Sequence, residues 1–172
     1  MLQNEKYKII DNFIDKESFN NLKLFFNEEN TPWYQRKKDV PTNENNKNGF
    51  FQLCFYNNYR VDHPGFDNYI APILNKLDCY APIQVRANLV LRDPDTKESG
   101  WHTDFNHPEF GKTAIFYLTT CNAKTFLGID ENNLITVNSV ENRMLIFKSN
   151  ILHKVVYQTD VYKRFVINFN YI

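Results

Sequence analysis

The sequence has 172 residues, an apolar fraction of 42%, and 20 basic and 20 acidic side chains. This length predicts one domain with a sizeable core, and the zero net charge argues against a nucleic-acid binder that acts by neutralising phosphates. Three cysteines without a CxxC pair do not indicate a disulfide or zinc framework, and no apolar run is long enough to cross a membrane, so we expect a cytoplasmic protein.

The N-terminal part of the chain predicts a helix that packs on a sheet. A short strand is expected within residues 7–14, and Asp15 is expected to cap a helix over about residues 16–28. Apolar residues recur there at three- and four-residue spacing, which gives the helix one apolar face. Residues 30–48 are rich in Pro and Asn and predict a loop, whereas residues 50–56 predict a strand.

The chain changes from helix to strand patterns near residue 83. A second helix is expected over about residues 66–77, where Pro72 either kinks the helix or delays its start. Segments rich in β-branched and aromatic residues then follow, separated by turn residues; they are 84–91, 113–119, 134–137, 144–147, 155–157 and 165–171. Many short strands at this spacing predict a sandwich or a barrel.

Two histidines and an aspartate suggest a metal site in this β-rich part. His102 and Asp104 are two residues apart where a strand is expected to end, so strand alternation points both side chains the same way. His153 opens a later predicted strand and could supply a third ligand. Two histidines and one carboxylate can hold Fe(II) with positions left open for a cosubstrate and O2, although Zn²⁺ accepts the same ligands.

The last predicted strand offers an anchor for an anion. Its alternation places Arg164 on the face opposite Phe165, and if the aromatic face packs on the helices, Arg164 points toward the metal. An inward arginine needs an anion, and a dicarboxylic cosubstrate would supply one. Tyr117, on the inward face of the predicted strand at 113–119, could donate its hydroxyl to the same carboxylate.

These motifs together carry a family resemblance. In chain order they are His102-x-Asp104, Tyr117-Leu118, His153 and Arg164-Phe165. Their order resembles the Fe(II)- and 2-oxoglutarate-dependent dioxygenases, and most of all the prolyl-4-hydroxylase-like branch. The resemblance implies a mainly β fold with flanking N-terminal helices, a double-stranded β-helix of the jelly-roll, cupin-like type. It also implies a single domain over residues 1–172, with a helical and loop support region at 1–82 and the metal-binding β-helix core at 83–172.

By resemblance, the protein would be an enzyme that hydroxylates its substrate. The substrate could be a prolyl residue, another peptide side chain or a small molecule, and 2-oxoglutarate would be converted to succinate and CO2. His102, Asp104 and His153 would be the catalytic Fe(II) ligands, and Arg164 and Tyr117 would bind the cosubstrate. O2 would be the oxidant, with ascorbate as a reductant.

Five further positions complete the set of candidate residues. A tyrosine often found in this family before the first metal ligands is absent, and Asn88 on the preceding strand is expected to take its polar role toward the cosubstrate. Trp101 could form a wall of the substrate pocket. Arg143, Arg36 and Arg60 are candidate substrate contacts, although each has a plain structural or solvent-exposed alternative.

Two other functions stay open at this point. A jelly-roll binding protein without catalysis would have no need of the four residues His102, Asp104, His153 and Arg164. A metal-dependent cupin enzyme that does not use 2-oxoglutarate would leave Arg164 without a role. For the protein as a whole, we expect neither a nucleic acid nor a membrane as a partner.

Overall fold

The computed structural model describes residues 6–35, 50–92, 95, 98–105, 110–130 and 133–172. In these ranges it contains two antiparallel sheets and two short α-helices. The predicted fold class is confirmed: the protein is mainly β and forms a double-stranded β-helix. No helix in the described ranges has the length and apolar character that a membrane span requires.

The large sheet is built from both halves of the chain. Its strands lie in the order β1-β9-β6-β11-β5-β3-β2, with β4 paired to β3. Their bounds are β1 Tyr7–Ile10, β2 Tyr34–Gln35, β3 Phe50–Asn57, β4 Arg60–Val61, β5 Pro82–Leu91, β6 Lys112–Tyr117, β9 Arg143–Lys148 and β11 Lys163–Tyr171. All the pairings are antiparallel. The long strands β5 and β11 pair with each other in the middle of this sheet.

The small sheet contains a strand that the sequence pattern did not predict. Its order is β10-β7-β8, and the strands are β7 Lys124–Asp130, β8 Asn133–Asn138 and β10 Leu152–Val156. Strand β7 includes Gly128, a residue that weakens strand propensity. The pairing of β7 with a neighbour on each side overrides that propensity.

The outer face of the large sheet is covered by the first helix. Helix α1 spans Lys16–Asn27, and the Asp15 carboxylate accepts a hydrogen bond from the backbone N–H of Ser18, which confirms the predicted N-cap. Its buried side chains join one apolar cluster with the outward residues of β11; the cluster includes Phe19, Leu22, Phe26, Phe165, Ile167 and Phe169. The aromatic face of β11 therefore packs on the helix, as the sequence predicted.

The second helix begins later than the sequence boundary suggested. Phe66–Ile70 form a π-helical turn, and α2 follows at Ala71–Lys76 with Pro72 in its first turn. Proline is tolerated there because its missing N–H would have had no partner inside the helix. Of the two alternatives that Pro72 allowed, the delayed start of the helix is confirmed.

Candidate metal centre

The predicted metal ligands meet at one point between the two sheets. His102, Asp104 and His153 each offer one ligand atom, and these atoms lie within 4.8 Å of one another. The Asp104 carboxylate lies near both imidazoles, with Oδ1 at 3.8 Å from His102 Nε2 and Oδ2 at 3.8 Å from His153 Nε2. This spacing lets one ion reach all three side chains with a small inward shift.

The backbone brings the two histidines together. His102 and His153 form an isolated antiparallel bridge in which each residue donates its N–H to the carbonyl oxygen of the other, at 3.0 and 2.9 Å. The stretch around His102 was predicted to be the end of a strand. Its described residues form no named strand, and they pair through two isolated bridges, His102 with His153 and Glu98 with Val156. His102 and Asp104 nevertheless line the same cavity, together with Thr103 between them.

The surrounding contacts fit a metal site. His102 Nδ1 lies 2.9 Å from the carbonyl oxygen of Gly100, so a proton on Nδ1 leaves Nε2 free to coordinate. Asn168 Nδ2 donates to Asp104 Oδ2 at 3.1 Å and orients the carboxylate. Burial lowers the pKa of His153, which favours the neutral imidazole that a metal needs. The donor set and its partners therefore match a divalent transition-metal ion.

A cavity of about 480 Å³ extends from these residues across the face of the large sheet. Arg164 lines it together with Val166 and Asn168, which follow on the same face of β11. The Arg164 side chain is 3% exposed, and Nε donates a long 3.4 Å hydrogen bond to Ser139 Oγ. Among the described residues, no carboxylate forms an ion pair with Arg164. The predicted anion anchor therefore faces the cavity that holds the three metal-ligand candidates.

Tyr117 lies one layer behind this cavity. Its ring is fully buried in the apolar cluster between the sheets, and its hydroxyl donates to Thr125 Oγ1 at 2.8 Å. Burial raises the pKa of Tyr117 to about 12, so the phenol is protonated at neutral pH. Thr125, and not Tyr117, is among the residues that line the cavity. Thr125 was not among the predicted site residues because it lies on β7, a strand that the sequence pattern did not predict.

The other sequence candidates differ in where they lie. Asn88 on β5 lines the cavity. Trp101 is 41% exposed and packs outside the cavity. One of its ring carbons lies 3.5 Å from the position that a Cβ atom on Gly128 would take, and Lys154 Nζ lies 5.3 Å from its ring centroid. Trp101 therefore covers the small sheet, and it is not among the residues that form the cavity wall.

The three arginine candidates are not gathered at the cavity. Arg143 is bound to the Asp11 carboxylate by Nε at 2.6 Å and Nη2 at 3.0 Å, a structural bridge between the ends of β1 and β9. Arg60 pairs with Asp62 at the protein surface. Arg36 lies outside the described residues. The structure thus gives Arg143 and Arg60 protein partners away from the metal-ligand candidates.

The similarity of this chain to known proteins lies in its structure and not in its sequence. No family model matches the sequence, and no curated protein matches it. Solved structures match with high probability: a 2-oxoglutarate-Fe(II) oxygenase-family oxidoreductase from Burkholderia pseudomallei aligns at a TM-score of 0.72 and 9% identity, covering 99% of this chain and 86% of that one. The chain has the fold of the Fe(II)/2-oxoglutarate oxygenases.

Two further matches to this oxygenase fold are prolyl hydroxylases. The Trichoplax adhaerens prolyl hydroxylase, solved with a hypoxia-inducible-factor peptide fragment, aligns at a TM-score of 0.69 and 13% identity over 97% of this chain and 83% of that one. A Pseudomonas putida prolyl-4-hydroxylase aligns at a TM-score of 0.64 and 12% identity over 96% and 91%. The fold shared with these prolyl hydroxylases thus extends across nearly the whole chain.

Proposed function

We propose that this protein is an Fe(II)- and 2-oxoglutarate-dependent oxygenase. The observation that carries the proposal is a single cavity lined by His102, Asp104 and His153 as well as by the buried Arg164 guanidinium. A metal cluster alone would fit many enzymes. A buried cation facing the same cavity gives a second, separate site for an anion, and a 2-oxo dicarboxylate has the two groups that such a pair of sites can bind.

In this proposal, His102, Asp104 and His153 hold the iron, and Arg164 holds the distal carboxylate of 2-oxoglutarate. The chemistry that such a centre supplies when loaded is activation of O2 coupled to decarboxylation of 2-oxoglutarate to succinate and CO2. The chain itself fixes the geometry. Asn168 orients the Asp104 carboxylate, and burial keeps His153 neutral and available as a ligand.

Thr125 is a further contact for the cosubstrate in this proposal. Its hydroxyl oxygen accepts from Tyr117, so its own proton can be donated into the cavity toward an anion. Tyr117 then acts through Thr125 and not by direct contact with the cosubstrate. The Arg164 guanidinium carbon lies 5.9 Å from the centroid of the Tyr117 ring, so Tyr117 also supports the face on which the guanidinium rests.

We further propose that the reaction is a hydroxylation, of a prolyl residue or of another peptide side chain. The support is the structural similarity to two prolyl hydroxylases, one of which was solved with a peptide fragment. Because one fold carries many reactions, the fold alone leaves a small-molecule substrate as the alternative. A cytoplasmic location and the division into a support region and a metal-binding core stay predictions.

The test is turnover of 2-oxoglutarate by the purified protein with Fe(II), ascorbate and O2. Succinate is the expected product, at a slow rate without substrate and at a faster rate when a substrate is present. The Asp104→Ala variant should form none. A wild-type protein that binds neither Fe(II) nor 2-oxoglutarate would be a non-catalytic binding protein. Tight metal binding without any binding of 2-oxoglutarate would instead favour a metal enzyme of the cupin type.

A further inference from the structure

Two side-chain amides meet on the wall of the proposed cosubstrate cavity. Gln52 on β3 lies directly opposite Asn88 on β5 in the sheet, and Gln52 Nε2 donates to Asn88 Oδ1 at 2.9 Å. Both residues line the cavity, yet they are only 6% and 7% exposed. Each amide is therefore held in a closed environment where its hydrogen bonds decide its orientation.

The pair lies between the two ends of the proposed cosubstrate site. Along β5, Val90 is opposite Arg164, Asn88 is opposite Val166, and Arg86 is opposite Asn168, which contacts the metal-ligand candidate Asp104. Successive rows on one face of a strand are about 7 Å apart. A molecule that extends from Arg164 to the metal ligands must therefore pass the row that holds Asn88.

The hydrogen bond from Gln52 determines which end of Asn88 faces that molecule. Asparagine carries an acceptor oxygen and two amide donors. Because Gln52 occupies the oxygen of Asn88, Asn88 offers its N–H donors to the cavity. Asn88 and Arg164 then both present hydrogen-bond donors to an anion in the cavity. We propose that Gln52 is a positioning residue that locks Asn88 in this orientation and so determines affinity for 2-oxoglutarate, an inference that rests on the proposed function.

A second observation supports a functional reason for Gln52. Its Oε1 is buried, and no hydrogen-bond donor reaches it in the described part of the chain. An apolar residue of similar size at this site would avoid that unfavourable burial. The hydrogen bond that the Gln52 amide does form is the one from Nε2 to Asn88, so orienting Asn88 is the role that this bond supports.

The test measures 2-oxoglutarate affinity by calorimetry on the Mn(II)-loaded protein, and Mn(II) affinity by electron paramagnetic resonance. Gln52→Met removes the donor at similar volume and should weaken 2-oxoglutarate binding about tenfold, the effect of one hydrogen bond that orients a donor to a charged group. Gln52→Glu should weaken it further, because a carboxylate accepts from Asn88 and turns the Asn88 oxygen toward the anion. Mn(II) affinity should change less than twofold in both variants.

A double-mutant cycle distinguishes positioning from a general structural effect. In an Asn88→Ala background, Gln52→Met should have no further effect on 2-oxoglutarate affinity, because the residue through which Gln52 acts is gone. Gln158 is a matched control, since it is also buried, donates from Nε2 to the Val90 carbonyl and leaves its own Oε1 without a partner among the described residues, but it does not line the cavity. Gln158→Met should leave 2-oxoglutarate affinity unchanged.

Three results would overturn the inference. They are unchanged 2-oxoglutarate affinity in both Gln52 variants, effects of Gln52→Met and Asn88→Ala that simply add, and parallel losses of Mn(II) and 2-oxoglutarate binding. These results concern Gln52 alone, provided that the wild type binds 2-oxoglutarate. Absence of 2-oxoglutarate binding by the wild type would instead overturn the proposed function, and this inference with it. Thermal unfolding of each variant shows whether it is folded, and Gln52→Met keeps the test decisive if Gln52→Glu does not fold.

Discussion

His102 and His153 exchange both backbone hydrogen bonds, and their imidazole rings lie 4.4 Å apart between centroids. The bridge links the segment before β6 to the start of β10, so two distant parts of the chain bring their side chains to one place. Because the backbone holds the two rings, the side chains need little rearrangement to bind an ion. This preorganisation is what makes the cluster a credible metal site and not a chance grouping of polar residues.

Loss of the central carboxylate should abolish metal binding. Asp104 lies 3.8 Å from both imidazoles, so Asp104→Ala removes the one charged ligand. We expect Fe(II) or Mn(II) affinity to fall by more than about 100-fold, since loss of outer contacts alone costs metal sites about 10- to 100-fold. Calorimetry under anaerobic conditions measures the change. Asp62→Asn, which alters a surface carboxylate paired with Arg60, is the control and should bind as the wild type does.

Removal of the buried guanidinium should affect the cosubstrate and spare the metal. We expect Arg164→Met to weaken 2-oxoglutarate binding by about 10- to 100-fold, the effect of losing hydrogen bonds to a charged group. Mn(II) affinity should stay close to that of the wild type. Arg143→Met is the matched control, because Arg143 pairs with Asp11 away from the cavity. Equal losses of metal and cosubstrate binding in Arg164→Met would show that Arg164 has a structural role.

The buried hydroxyl groups of Thr125 and Tyr117 should differ in their effect on 2-oxoglutarate binding. Thr125 lines the cavity, whereas the Tyr117 hydroxyl donates to Thr125 and Tyr117 does not itself line the cavity. Thr125→Val should therefore weaken 2-oxoglutarate binding more than Tyr117→Phe does. We expect Tyr117→Phe to lower the free energy of unfolding by about 1 kcal/mol, because it removes one buried hydrogen bond. Binding calorimetry and urea unfolding of both variants test this order, and a larger binding loss in Tyr117→Phe would reverse the assignment.

The ion pair between Asp11 and Arg143 should make stability depend on acid pH. The hydrogen bond from Arg143 lowers the pKa of Asp11 below its unfolded value of about 3.9, so the native state favours the charged carboxylate. The stabilisation is then complete above that value and is lost as the pH falls through the lowered pKa. We expect Asp11→Asn to cost about 1 kcal/mol at pH 7, the upper range for an exposed pair.

Urea unfolding at pH 7 and at pH 3 measures this dependence. The difference between the wild type and Asp11→Asn should shrink at pH 3, where more of the Asp11 carboxyl is protonated. A difference of the same size at both pH values would show that the Asp11 side chain stabilises the junction of β1 and β9 by packing and not by charge.

Local sequence patterns were sufficient to predict most of the helices and strands. The cap at Asp15, the apolar face of α1 and the alternation along β11 were all predicted and all appear in the structure. These features depend on neighbours within a few residues, and the periods of helices and strands are fixed by backbone geometry. The same alternation correctly placed Arg164 on the inward face, because Phe165 and its outward neighbours were apolar enough to identify the side that packs on the helix.

Contacts between segments that are distant in the sequence could not be predicted from local patterns. Strand β7 has a glycine and no regular alternation, and it is stabilised by its partners β8 and β10. Because this strand was not predicted, Thr125 was not predicted as a site residue. Thr125 lies between the Tyr117 hydroxyl and the cavity. The opposition of Gln52 and Asn88 depends on the register of β3 against β5, and nothing local sets that register.

The sequence by itself determined which chemical groups this protein has and, from the two-residue period of its strands, which of them share a face. His102, Asp104, His153 and Arg164 could be selected in this way because their residue types are unusual on inward faces. Only the tertiary structure decided which inward groups reach the cavity and which are covered by others. That choice depends on strand pairing and on packing between the two sheets, where a shift of one layer replaces the phenol of Tyr117 with the hydroxyl of Thr125.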